Sequence, residues 1–236
     1  MAVLIEICVD SAACLSAAVS GGADRIELCS ALALGGLTPS AGFMDQAAGC
    51  GVPVMAMIRP RAGGFLWSEA ELRQMETDIA TARGLGLAGV VIGALDPGGR
   101  LDAPALTRLL RAADGLDCTL HRCFDLVPDP AAALEVACAL GIPRVLTSGG
   151  AATAPEGAAR IGALLAQAAG RIRIMPGAGV TAQTAPGLVA LGARELHASC
   201  SVGLPQPGRI VDLGFAPATG RQTDAALARA LRAAVH

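Results

Sequence analysis

The sequence has no lysine. Its 18 basic residues other than histidine are all arginine, so Schiff-base chemistry on a lysine amine is excluded. Aromatic residues are almost as scarce: no tyrosine, one tryptophan and four phenylalanines. That composition argues against a large aromatic-rich protein interface. No 18-residue apolar run is free of charge, glycine or proline, so no membrane-spanning helix is expected. No Cys-x-x-Cys pair occurs, which rules out zinc-ribbon readings. The start, Met1-Ala2-Val3-Leu4-Ile5, lacks the basic region of a signal peptide and runs straight into an apolar strand pattern. The net charge is −2 without a long basic run, so nucleic acid is not an expected partner.

What is present is a strongly apolar chain, 53% hydrophobic and 16% charged, able to bury a large core. At 236 residues it falls within the range of α/β barrels that form one domain, about 200–250 residues. Its eight cysteines are scattered, and several lie inside strand patterns. This is not a disulfide framework, and a reducing cytoplasm is the expected compartment. Cys14, Cys50, Cys118 and Cys138 read as small core hydrophobes.

Two stretches stand out. Ile5-Glu6-Ile7-Cys8 and Ile26-Glu27-Leu28-Cys29 each read as a buried strand carrying a carboxylate and a thiol. A period of two puts the Glu and Cys of each strand on one face. Ionisable groups on core strands are costly unless paired or functional.

The same strand–loop–helix unit continues along the chain. Strands are expected over 4–8, 24–29, 53–59, 88–94, 118–123, 144–148, 171–175 and 195–199. Helices are expected over about 11–20, from the Gly-rich loop 30–39 to about 50, and over 68–85, 102–113, 129–140 and 155–169. A seventh follows 177–180. Ser68-x-x-Glu71 is a capping box and Pro130 suits a first turn. Residues 201–220 form a Pro/Gly-rich tail before a terminal helix over 223–235. Strict alternation predicts a single-domain (β/α)8 TIM barrel over 1–236, with its core at about 3–200 and a short C-terminal helix. A doubly wound sheet is disfavoured because no G-x-G-x-x-G follows strand one.

A barrel gathers its chemistry at the C-terminal tips of its strands. There the sequence delivers Glu6, Cys8, Glu27, Cys29, Arg59, Arg61, His121, Arg122, Asp125, Thr147, Ser148, His197 and Ser199. Alternation puts His121 and Cys123 on one face. Glu6, Glu27, Arg59, His121, Asp125 and His197 are candidates for acid/base work. The structural alternative is a buried salt-bridge layer in which Arg59 pairs with Glu6 and Glu27 and plugs the barrel. Ser148-Gly149-Gly150 and Gly177-Ala178-Gly179 could cradle an anion with backbone N–H groups. Arg59 and Arg61 would add charge to Ser148, Gly149, Gly177 and Gly179 in such a site. Cys8 and Cys29 could also bracket a soft ion such as Cu(I), since parallel neighbours lie about 4.8 Å apart. Simple packing of the two thiols is the alternative.

Several motifs together resemble the CutC copper homeostasis family. They are Leu4-Ile5-Glu6-Ile7-Cys8-Val9-Asp10-Ser11, Gly22-Ala23-Asp24-Arg25-Ile26-Glu27-Leu28-Cys29, Gly35-Gly36-Leu37-Thr38-Pro39-Ser40, Met57-Ile58-Arg59-Pro60-Arg61, His121-Arg122-Cys123-Phe124-Asp125, Arg144-Val145-Leu146-Thr147-Ser148-Gly149 and Met175-Pro176-Gly177-Ala178-Gly179-Val180. The likeness runs in order over roughly residues 3–200. It implies a TIM barrel, a cytoplasmic location and a role in copper handling with Cu(I) bound at Cys8 and Cys29. It brings no established reaction. Gly64, Trp67 and Cys123 depart from the family pattern, and the third departure adds a thiol beside His121. Little of the pattern persists after Ser201.

Two functions therefore stand. One is a Cu(I)-binding protein of copper homeostasis. The other is a barrel enzyme acting on a small metabolite, phosphorylated or not. The expected partner is a copper ion or a small molecule, with no nucleic acid and no membrane, in a homo-oligomer that is by default a dimer.

Overall fold

Each of the first eight strands is short and almost wholly buried, as parallel strands covered by helices require. In the computed structural model, which describes residues 3–236, they are β1 (Leu4–Val9), β2 (Arg25–Leu28), β3 (Val54–Met57), β4 (Gly89–Ile92), β5 (Asp117–Leu120), β6 (Arg144–Thr147), β7 (Arg173–Pro176) and β8 (Glu195–Ala198). Met1 and Ala2, where the stretch read as lacking a leader begins, lie outside the described residues. All pairings in this sheet are parallel, in the order β7-β6-β5-β4-β3-β2-β1-β8. The two end strands, β7 and β8, lie against each other, so the sheet curls into a (β/α)8 barrel. Among the described residues no helix is long and apolar enough to cross a membrane.

The helices are α1 (Ala12–Ser20), α2 (Ala41–Ala48), α3 (Glu69–Gly84), α4 (Ala103–Ala112), α5 (Pro130–Ala139), α6 (Ala158–Ala168), α7 (Ala185–Ala190), α8 (Gly208–Asp212) and α9 (Ala225–Val235). Their starts are set by side chains that accept otherwise unpaired N–H groups. Ser11, Ser40, Asp102, Asp129 and Asp224 each do so. Ser68 and Glu71 form the expected capping box. Strand alternation then divides the interior. Outward residues such as Ile5, Ile7, Ile26 and Leu28 join the helices in one large core. A small cluster of Cys29, Met55, Met57 and Val91 forms a second.

Two expectations need correction. The tail after Ser201 is not irregular. It forms an antiparallel hairpin of β9 (Ser201–Pro205) and β10 (Thr219–Thr223), with α8 between them. The terminal helix α9 is the barrel's eighth, packed against α7 and α1. Gly21 permits this approach, since a Cβ there would come within 2.5 Å of the Ala228 Cβ. Arg232 fastens the joint by donating to the Gly22 carbonyl at 2.9 Å and to Asp24 at 2.7 Å.

The fifth strand ends at Leu120, not at residue 123. His121 is still extended, but its Nδ1 accepts the Cys123 N–H at 3.2 Å and so caps a 3-10 turn over Arg122–Leu126. His121 and Cys123 therefore do not alternate along a strand. Cys123 is fully buried in the outer core and does not present a thiol to the mouth. Cys14 and Cys118 are core thiols as expected, while Cys50 and Cys138 are half-buried at its margin.

Candidate functional site

The barrel axis is filled at its lower end by ion pairs. Strand register puts Glu6 level with Arg25 on one side and His197 on the other. Arg25 Nε donates to Glu6 Oε2 at 2.5 Å, and its Nη2 to Glu195 Oε2 at 2.7 Å. Arg144 donates to Glu195 at 2.5 Å, Asp117 at 3.0 Å and Thr119 at 3.1 Å. Arg173 reaches Glu195 from the edge at 3.1 Å. A plug of buried salt bridges thus exists, but its cations are Arg25 and Arg144, not Arg59. The sequence-based set lacks Arg25, Arg144 and Glu195. The period-two rule was the available signal, because Arg25 precedes Glu27 by two and Glu195 precedes His197 by two.

Above the plug sits a cluster of three groups. Cys8 is level with Glu27 across β1 and β2. His197 Nδ1 donates to Glu6 Oε1 at 2.8 Å, which turns Nε2 to within 3.8 Å of Glu27 Oε2. The ligand atoms of Cys8, Glu27 and His197 all lie within 4.8 Å of one another. Cys29 is outside this group. It is fully buried, and its Sγ donates to Glu27 Oε2 at 3.5 Å. So Glu27, rather than Cys29, stands opposite Cys8, because β2 carries its thiol two residues beyond the level of Cys8.

Burial works against charge throughout the cluster. At Glu6 burial raises the pKa, but bonds from His197 and Arg25 outweigh it and bring the carboxyl down to about 2. Glu27 has no arginine partner. Burial, with the nearby Glu6 charge, raises it above the usual range despite His197. His197 is disfavoured as a cation by burial, yet Glu27, Cys8 and Glu6 together hold it protonated well above its ordinary value. Burial and the Glu27 charge push the Cys29 thiol well up, so it stays neutral.

Over this cluster opens a cavity of about 440 Å³, lined by Cys8, Glu27 and His197 below and by Arg59, Phe65 and His121 at one side. Arg59 is pinned by carbonyls: its Nη1 donates to Leu34 at 2.8 Å and Gly36 at 3.0 Å, and its Nη2 to Gly63 at 2.9 Å. It lies 5.0 Å over the Phe65 ring, whose centroid is 4.8 Å from that of His121. Three buried polar atoms here have no partner among the described residues: Glu27 Oε1, Arg59 Nε and His121 Nε2. The C-terminal segment also reaches the rim, through Arg221 and through Leu227 and Leu231 of α9.

His121 depends on Gly93, where a Cβ would fall 2.2 Å from the imidazole and 2.6 Å from the Cys123 sulfur. Gly93→Ala should therefore destabilise the fold by about 1–3 kcal/mol, measured by urea unfolding. Unchanged stability would mean the ring shifts freely.

Burial, then the Arg59 charge, lowers the His121 pKa from 6.5 to about 3. The unfolded chain binds a proton there that the folded chain refuses. This contribution is full above pH 6.5 and is lost as pH falls toward 3, by at most ~1.4 kcal/mol per pH unit. Stability of the parent relative to His121→Gln should therefore decline between pH 6.5 and 4.5. A pH-independent difference in unfolding midpoints would contradict a neutral buried imidazole.

Most of the remaining anion candidates lie elsewhere or are already occupied. Arg61 is exposed, pairs with Glu71 and lies 4.8 Å over Trp67. Asp125 fills the turn after β6, accepting from Thr147 Oγ1 at 2.5 Å and from the Ser148 and Gly150 N–H groups at 3.0 Å. Burial opposes its charge, but these bonds and Arg122 hold it below its usual range. The Gly149 N–H goes to Thr147 Oγ1 at 2.9 Å and that of Gly177 to the Thr147 carbonyl at 3.0 Å. Of the glycine candidates, Gly179 lines the cavity. Ser199 lines it too, hydrogen-bonded to Ser201 at 3.0 Å.

The family model described as the CutC family matches residues 3–202. A family protein CutC from Sinorhizobium medicae is 56% identical over 233 residues, covering 98% of this chain and 95% of that protein. One from Caulobacter vibrioides is 50% identical over 238 residues, covering 98% and 96%. The crystal structure of a CutC protein from Streptococcus agalactiae superposes with a TM-score of 0.80 at 35% identity. It covers 84% of this chain and 98% of that one.

Proposed function

Because the chain belongs to the CutC family, we propose that its barrel mouth binds Cu(I) through Cys8, with His197 and Glu27 beside it and Cys29 as a second thiol. The observation that carries this reading is the convergence of a sulfur, an imidazole nitrogen and a carboxylate oxygen within 4.8 Å. Thiolate and imidazole are suited to Cu(I). The unpartnered Glu27 Oε1 is the kind of buried atom that a cation would satisfy.

The glutamates gain a place in this reading. Glu6 holds His197 by Nδ1, the arrangement in which a carboxylate orients a ligating imidazole and fixes its tautomer. Glu6 is in turn held by Arg25. Binding displaces the proton that Glu27 and Glu6 help keep on His197, so copper uptake should weaken as pH falls. A reducing cytoplasm fits the eight free cysteines and would keep the metal as Cu(I).

The test is competition with a Cu(I) chelator for the parent, Cys8→Ser and Cys29→Ser. Loss of copper from the parent to the chelator at the same point as from Cys8→Ser would end the reading.

A further inference from the structure

The cavity is much larger than one metal ion needs, and its polar atoms are unusual. Three belong to nearly fully buried side chains and have no partner among the described residues: Arg59 Nε, His121 Nε2 and Glu27 Oε1. Buried polar atoms in folded proteins are almost always satisfied. Their identities as donor or acceptor follow from their other bonds. His121 Nδ1 accepts from the Cys123 backbone, so in the neutral ring Nε2 carries the hydrogen and donates. Arg59 commits three of its five N–H groups to carbonyls, two from Nη1 and one from Nη2, and keeps its Nε–H, one Nη2–H and its charge. Arg59 and His121 flank the same Phe65 ring. Glu27 Oε1 is an acceptor.

We propose that the cavity binds a small 2-hydroxycarboxylate with an apolar body. Its two carboxylate oxygens take the Arg59 and His121 donors, and its hydroxyl donates to Glu27 Oε1. The body lies against Leu32, Met57, Phe65, Leu146 and Val180, all of which line the cavity. A volume of about 440 Å³ suits such a molecule.

A phosphate ester fits less well. The glycine turn after β6, which could have cradled it, is filled by Asp125. The carboxylates of Glu6 and Glu27 would also repel a dianion. The two readings share Glu27, but the carboxylate donors Arg59 and His121 stand outside the Cys8–Glu27–His197 group, so the acid is tested on metal-free protein.

Titration calorimetry on chelator-washed full-length protein tests it, with 2-hydroxy-4-methylpentanoate, 4-methylpentanoate and inorganic phosphate as probes. The hydroxy acid should bind saturably, at least about tenfold tighter than the acid lacking the hydroxyl and tighter than phosphate. Arg59→Met should weaken it at least about tenfold. Arg59 also ties two loops together, so a second variant guards against misfolding. Ala182→Trp, at the partly exposed rim of the cavity, should block binding without touching a polar contact. No saturable binding of the hydroxy acid would overturn the proposal. So would equal or tighter binding of phosphate, or an affinity unchanged in Ala182→Trp.

Discussion

Replacing Arg25 with methionine should cost the fold about 3–5 kcal/mol, the range for removing one partner of a buried ion pair. For a chain of this length that is a drop of roughly 10 °C in melting temperature. Arg25 is almost wholly buried and bridges Glu6 to Glu195. Methionine fills similar volume, so a cavity is not the cause. The cause is a carboxylate, Glu6, left inside the barrel with only His197 for company. Glu195 still has Arg144 and Arg173, so the loss falls chiefly on Glu6. Urea unfolding measures it, and a loss under about 1 kcal/mol would show that the Arg25 bridge is dispensable. The effect should reach function as well, because Glu6 orients His197.

The second large effect is an asymmetry between two thiols. Cys8→Ser should lower Cu(I) affinity by at least about 100-fold, more than the 10–100-fold typical of losing a group that only supports a ligand. Cys29→Ser should cost about tenfold. Cys8 lines the cavity and faces Glu27 and His197. Cys29 is sealed among Met55, Met57 and Val91. To ligate, it must give up its bond to Glu27 and a proton that burial holds tightly. Chelator competition gives both affinities. Equal losses would mean that the end of β2 rearranges to bring its thiol level with Cys8.

Much of this site was legible in the chain. Cys8, Glu27, Arg59, His121 and His197 all reach one mouth, with Glu6 just beneath it on His197, because alternation and strand ends place them there. What misled was local regularity extended one step too far. Cys123 seemed to continue a strand that His121 ends with its own ring nitrogen. Ser148 and Gly149 had the composition of an anion cradle, but a carboxylate from the preceding loop already sits in it. Residues 201–223 had the composition of a tail, yet the hairpin there and the helix after it complete the barrel wall.

The sequence by itself determined the barrel, the number of its barrel strands and the inward placing of Glu6, Cys8, Glu27 and His197. Those are local consequences of period-two alternation, helix caps and apolar runs, each readable within a dozen residues. Only the tertiary structure decided the pairings: Arg25 rather than Arg59 with Glu6, Glu27 rather than Cys29 beside Cys8, and His197 held over Glu6 from the far end of the chain. The physical reason is register. A one-residue step between parallel strands moves a side chain by more than 3 Å, a whole hydrogen-bond length, and ring closure between β1 and β8 is set by the packing of all eight strands.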